Sequence, residues 1–176
     1  KHWNAVILLH FSLWLAAGYF AVSTDVIVFN LLCYVIGGLA LSTLSVLTHE
    51  SSHNLITRNS RIDRWIGFLC GAPILFSAAG YRIVHPIHHK HLRSSEDPDD
   101  LQNATTNPKL LSLFYVLFLV FGVYLYLIVV PLHAFKKASR SQRFNILLET
   151  GIMVAALALC WANIRIEIRP INYFMG

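Results

Sequence analysis

The stretch VIVFNLLCYVIGGLALSTLSVLTHESSH, residues 26–53, decides the fold. Residues 26–47 carry no charged side chain. At 1.5 Å of rise per residue, such a run crosses the roughly 30 Å hydrocarbon core of a bilayer as one helix. His49-Glu50-Ser51-Ser52-His53 follows directly. Two histidines four apart on a helical extension share a face and come within reach of one metal ion. The five letters fit H-E-x-x-H, in which two histidines hold zinc and the glutamate activates water. They fit a looser H-x-x-x-H pattern equally well, so the motif does not choose its own chemistry.

The rest of the chain agrees with a membrane setting. Of 176 residues, 56% are hydrophobic and 13% charged, with a mean hydropathy of +0.56, too apolar for a soluble domain of this size. Further spans are expected at 5–23 and 110–131. A shorter one, 146–162, carries Glu149 near its start, where a carboxylate reaches the interface or faces protein. Spans 5–23 and 26–47 form a tight hairpin around Thr24 and Asp25. The first is not a signal peptide, since it lacks a small-residue cleavage site and another apolar run follows it. Cys33, Cys70 and Cys160 are scattered through apolar stretches without a C-x-x-C pair, which excludes a disulfide framework or a cysteine cluster. Strand signals, repeats and low-complexity segments are absent, so the chain reads as an all-α integral membrane protein in a single domain. No nucleic-acid partner is expected.

The connection 48–109 holds seven basic residues, whereas the Thr24-Asp25 turn holds none. The positive-inside rule therefore places the long connection in the cytoplasm. The loop 132–145, with Lys136, Lys137, Arg140 and Arg143, breaks this pattern. Either the 110–131 segment is partly re-entrant or the rule is overridden there. Within the connection, WIGFLCGAPILFSAAG (65–80) is uncharged but short and interrupted by Gly71, Ala72 and Pro73. A run of this length suits a re-entrant or interfacial segment. A crossing would separate His49 and His53 from the histidines that follow, so a shared site requires this segment to dip in and return.

Six of the nine histidines lie between positions 49 and 91. The second cluster reads YRIVHPIHHKHLRSSEDPDD, residues 81–100. Pro86 is tolerated in a helix's first turn, which predicts a helix beginning beside His85 and carrying His88 and His89. Adjacent helical residues point about 100° apart, so His88 and His89 suit two different ions. Five or six imidazoles exceed the three protein ligands of a catalytic zinc and favour a dinuclear centre. Imidazole binds zinc and iron alike. Glu50, Glu96, Asp97, Asp99 and Asp100 are candidates to orient ring N–H groups. His91 is either a ligand or a supporting group, while His2, His10 and His133 read as interfacial.

H-E-S-S-H, then Y-R-x-x-H-x-x-H-H and D-P-D, resemble the first two histidine boxes of the membrane fatty acid desaturases and hydroxylases. The second box with Tyr81-Arg82 and Asp97-Pro98-Asp99 is the specific part. The resemblance implies a non-haem diiron centre with His49, His53, His85, His88 and His89 as iron ligands. It further implies O₂ as co-substrate, a lipid acyl chain as substrate, and an electron donor such as a ferredoxin or a cytochrome b5-type protein. Arg58, Arg61, Arg64, Arg82, Lys90 and Arg93 form a basic face suited to an acidic carrier or to lipid headgroups. The family's third box, a further H-x-x-H-H, has no counterpart, because no histidine follows His133. The chain is accordingly expected to be an N-terminal portion of an enzyme, or an inactive relative.

Two other functions compete. An intramembrane zinc protease would use His49 and His53 as ligands and Glu50 as base, but it needs a third ligand and leaves the 85–91 cluster unexplained. A membrane scaffold assigns the histidines no metal. Carotenoid and alkane hydroxylases share the histidine-box logic and differ in the shape of the substrate tunnel.

Overall fold

The computed structural model describes residues 2–98 and 100–173, with the backbone alone at 123–126 and 163–173. Its elements are α1 (Trp3–Val22), α2 (Ile27–Ser52), α3 (Ser60–Gly71), α4 (Ala78–His91), α5 (Pro108–Lys137) and α6 (Arg140–Tyr173). Short 3-10 turns occur at Ala72–Ile74 and Leu101–Ala104, and no strand occurs among the described residues.

Helices α1, α2 and the Arg140–Ala162 part of α6 are long and apolar enough to cross a membrane. Leu8, Val22, Val28 and Leu159 on these helices are largely exposed. Helices apolar on every side and so little buried by protein require lipid around them. Helices α1 and α2 pack as a hairpin, with Ala17 against Gly37 and Val6, Ile7 and Phe11 against Leu44, Leu47 and Cys70. The turn between them is tied by Asn30 Nδ2 donating to Thr24 O at 2.9 Å.

Helix α3 starts where Asn59 Oδ1 accepts from Arg61 N and Ile62 N at 3.0 and 3.2 Å. Buried Asp63 fastens the preceding loop by accepting from Thr57 N and Thr57 Oγ1. The helix then lies against α2, where Gly67 faces Ser51 and Gly71 faces Thr48. Its turn into α4 is tight: Leu75 takes a left-handed conformation, φ 59°, and Phe76 N donates to Gly71 O at 2.9 Å. A Cβ on Gly71 would stand 2.6 Å from Phe76 O, so only glycine fits there. The Ser60–Ile74 and Ala78–His91 segments meet at 103°, and the second returns His85 to within 3.0 Å of His53. The chain after the 65–80 segment therefore comes back to the end of α2.

The span expected at 110–131, for which a partly re-entrant course was left open, is bent in the structure. Pro108–Gly122 and Leu127–Lys137 diverge by 103°, and the second half turns alongside α4. Gly80 lies against Pro131 and Ala134, while Val84 packs with Ala134, Ala138 and Ile146. Since Val84 adjoins His85, the basic 132–145 stretch, helical except at 138–139, lies beside the histidine-bearing helix α4. Helix α6 begins at Arg140, earlier than 146, because Ser139 and Gln142 form a reciprocal cap: Ser139 N donates to Gln142 Oε1 at 2.8 Å and Gln142 N to Ser139 Oγ at 3.4 Å.

Candidate metal centre

Helix α2 carries His49 in its last turn and ends with His53 at the cap. Helix α4 starts two turns before the expected position and has Pro86 in its interior. Its first turn is capped from both sides. Ser77 Oγ accepts from Gly80 N at 3.1 Å, and Glu149 of α6 accepts from Ala79 N at 2.9 Å and Ser77 Oγ at 3.1 Å. A carboxylate on free N–H groups at a helix start is favourable on both hydrogen-bond and dipole grounds. That capping starts the helix ahead of the proline and sets the register of Tyr81, His85, His88 and His89.

Four imidazoles converge. The ligand nitrogens of His49, His53, His85 and His89 all lie within 4.8 Å of one another. His85 Nε2 is 3.0 Å from His53 Nε2 and 2.9 Å from His89 Nε2. His85 is buried, and its Nδ1 has no hydrogen-bond partner among the described residues. Burying a polar ring whose nitrogens meet only other imidazoles is unfavourable for hydrogen bonding alone. The same donor set suits a transition-metal cation.

Carboxylates hold three rings by the opposite nitrogen. His49 Nδ1 donates to Glu50 Oε1 at 3.0 Å, His88 Nδ1 to Asp97 Oδ1 at 2.8 Å and His91 Nδ1 to Glu96 Oε2 at 3.0 Å. A carboxylate acceptor requires the N–H on Nδ1, which leaves the Nε2 lone pair for a metal. His88 stands outside the four-membered group, its ring centre 6.0 Å from that of His85 and 5.7 Å from that of His89. Asp97 is itself buried and accepts from Arg93 N at 3.0 Å. Asp100 instead caps the 101–104 turn through Gln102 N, and Asp99 lies outside the described residues. His10 and His133 donate to Val6 O and Val129 O of their own helices. Burial first, and the neighbouring His49 and His89 second, hold His53 below the usual imidazole range. It is therefore neutral near pH 7, as a metal ligand must be.

Two residues matter more than the sequence alone suggested. The Arg82 guanidinium donates to Ser51 O and to Asn54 Oδ1, so α4 grips the end of α2 between and just beyond its histidines. Asn54 adopts φ 58°, where the chain leaves the helix. Tyr81 stacks on His85 with ring centres 4.4 Å apart and planes 17° from parallel. The Tyr-Arg pair preceding His85 was the only available signal for either role.

A cavity of about 740 Å³ lies beside His49 and Glu50, between α2, α4 and α5. Val46, Ile74, Phe76, Phe118 and Leu119 make its wall mainly apolar. Residues 25–165 match the fatty acid desaturase family model. The sn-1 acyl-lipid omega-3 desaturase (ferredoxin) of Synechocystis sp. is 27% identical over 130 residues, covering 73% of this chain and 36% of that protein. The sn-1 oleoyl-lipid 12-desaturase of Arthrospira platensis is 32% identical over 63 residues, covering 36% of this chain and 18% of that protein. The chain thus spans well under half the length of the curated relatives it matches. No solved structure matches it significantly.

Proposed function

The chain belongs to the fatty acid desaturase family, and from that premise we propose that it supplies the first two histidine clusters of an O₂-dependent acyl-lipid desaturase. His49, His53, His85, His88 and His89 are its iron ligands in this proposal. The supporting observation is the mainly apolar cavity lined in part by His49, itself one of the converging imidazoles. A hydrocarbon chain entering from lipid finds there a wall of its own polarity, which excludes water from the reacting carbons. When bound, two irons supply the O₂ activation that removes hydrogen from an unactivated C–H bond. Glu50 and Asp97 fix which nitrogen of His49 and His88 carries the proton, and Arg82 holds the two helices in register. The two basic loops on the histidine side support a cytoplasmic orientation for it. Electrons are proposed to come from a ferredoxin or a cytochrome b5-type protein docking on the exposed Lys90 and Arg93 at the end of α4.

The zinc-protease alternative would take its third ligand from His85 or His89 and leave the other, with His88, without a role, and none of the relatives named above is a protease. Metal analysis of the purified full-length protein separates the two: two irons per chain is the expected result, and one zinc sinks the proposal. Glu50→Gln sharpens it. The loss of an orienting carboxylate should weaken iron binding by about 10–100-fold without abolishing it, whereas a protease would lose its base and all turnover.

A further inference from the structure

A second cleft, of about 250 Å³, opens on a different face of α4, between α3, α4 and α6. Arg61, Arg64, Arg82 and Asn145 line one part of it. A smaller cleft of about 190 Å³ shares Arg64, Arg82 and Asn145 and extends the polar surface to Ser60 and Gln142. The other part is apolar: Trp65, Leu148 and Ile152 are exposed, and the last two belong to a helix apolar enough to cross a membrane. The cleft therefore straddles the level where water gives way to hydrocarbon, the depth at which tryptophan and arginine gather.

Its positive charge is only partly compensated. Among the described residues, neither Arg61 nor Arg64 makes an ion pair, and Arg82 donates to neutral acceptors. Arg64 is near enough to Arg82 for the two cations to repel, while the Asp63 and Glu149 carboxylates attract Arg82. Glu149 is the one carboxylate among the lining residues, and its Oε2 already accepts from Ser77 and Ala79. Guanidiniums present planar donor forks that match phosphate oxygens.

We propose that this cleft binds the phosphate headgroup of an anionic phospholipid, with the acyl chains lying along Leu148 and Ile152. The site is separate from the histidine cavity and does not depend on the metal assigned there. Because Arg82 lines the cleft and also grips the end of α2, headgroup binding would brace the joint between the two histidine-bearing helices.

The test uses full-length protein in detergent, mixed with phosphatidylglycerol or phosphatidylcholine and read by native mass spectrometry. The wild type should retain phosphatidylglycerol with at least about a tenfold preference, a modest figure for two charge-assisted contacts. Arg61→Gln with Arg64→Gln should remove that preference, while metal content and the thermal midpoint in lipid-free detergent stay unchanged. Millimolar inorganic phosphate should not displace the lipid. Equal retention of both lipids by the wild type, or undiminished preference in the double variant, overturns the proposal. So does displacement by inorganic phosphate, which would make this a free-anion site. A double variant that keeps its lipid but loses affinity for a reduced ferredoxin would reassign the cleft to a protein partner.

Discussion

The chain contains two helical hairpins of opposite construction. The α1–α2 hairpin is apolar all round, and its turn is closed by a few local hydrogen bonds, among them Asn30 to Thr24 O and Val26 N to Thr24 Oγ1. The α3–α4 hairpin is capped at Asn59 and Ser77, held by Glu149 from α6 and joined to α2 by Arg82. Lipid supports the first, because hydrocarbon surrounds its side chains and the helices satisfy their own backbone. The second must hold His85 and His89 against the two imidazoles at the end of α2 to a few tenths of an ångström, and only directional contacts do that. Substitutions should accordingly be tolerated in the first hairpin and felt in the second.

The largest effect is expected at the metal centre. In the full-length protein, His88→Ala should abolish both iron binding and lipid oxidation, because it removes a proposed ligand and leaves the buried Asp97 carboxylate without its imidazole partner. Iron content by elemental analysis and acyl-chain products by mass spectrometry check this together. An active, iron-loaded variant would remove His88 from the proposed ligand set.

Next come the glycines, which set the hairpins directly against each other. An alanine methyl at Gly71 would stand 2.6 Å from the Phe76 carbonyl oxygen, which is backbone and cannot swing aside. Gly71→Ala should cost about 1–3 kcal/mol, as overpacking does, and should lower iron content by displacing α4. At Gly18 of α1 the same methyl meets nothing within 4 Å. Gly18→Ala should be neutral or slightly stabilising, since alanine is the better helix former by about 1 kcal/mol. Thermal midpoints in detergent provide the comparison, and equal shifts would refute it.

How much of this was legible beforehand follows from the range of each interaction. The α1 and α2 spans were readable because uncharged runs have no other stable home, and the histidine clustering because six rings fall within 43 positions, 49–91. The return of the 65–80 segment was readable from Gly71, Ala72 and Pro73, with the separated histidines as a constraint. The bend in α5 was signalled only by the basic residues of 132–145, since the run 110–131 is uniformly apolar through Gly122 and contact with Gly80 and Val84 holds its second half against α4. The start of α4 was missed because Pro86 is a strong local signal, whereas the cap that overrides it comes from Glu149, some 70 positions away. Arg82 looked like one of six surface cations for the same reason: its partners are 28 and 31 positions distant.

Glu149 offers a smaller and more graded test. Glu149→Leu leaves Ala79 N and Ser77 Oγ without their acceptor at a partly buried helix start, which should cost about 1–3 kcal/mol. Glu149→Gln keeps an acceptor oxygen in place and should recover most of that loss. A glutamine variant as unstable as the leucine variant would mean that charge, rather than the hydrogen bonds, anchors α4 to α6.

The smallest effect is expected back in the first hairpin, at the polar side chain beside its turn. Asn30 Nδ2 donates to Thr24 O at 2.9 Å, yet its Oδ1 is buried with no partner among the described residues. Half of this amide therefore stabilises the turn while the other half opposes burial. A net intramolecular hydrogen bond contributes about 1 kcal/mol, and an unsatisfied buried acceptor costs about as much. Asn30→Leu removes both terms and adds apolar surface to a helix in lipid, so its thermal midpoint should match that of the wild type within about 0.5 kcal/mol. A loss comparable to that of Gly71→Ala would show that the α1–α2 turn depends on directional bonding after all, and the contrast between the two hairpins would fail at that point.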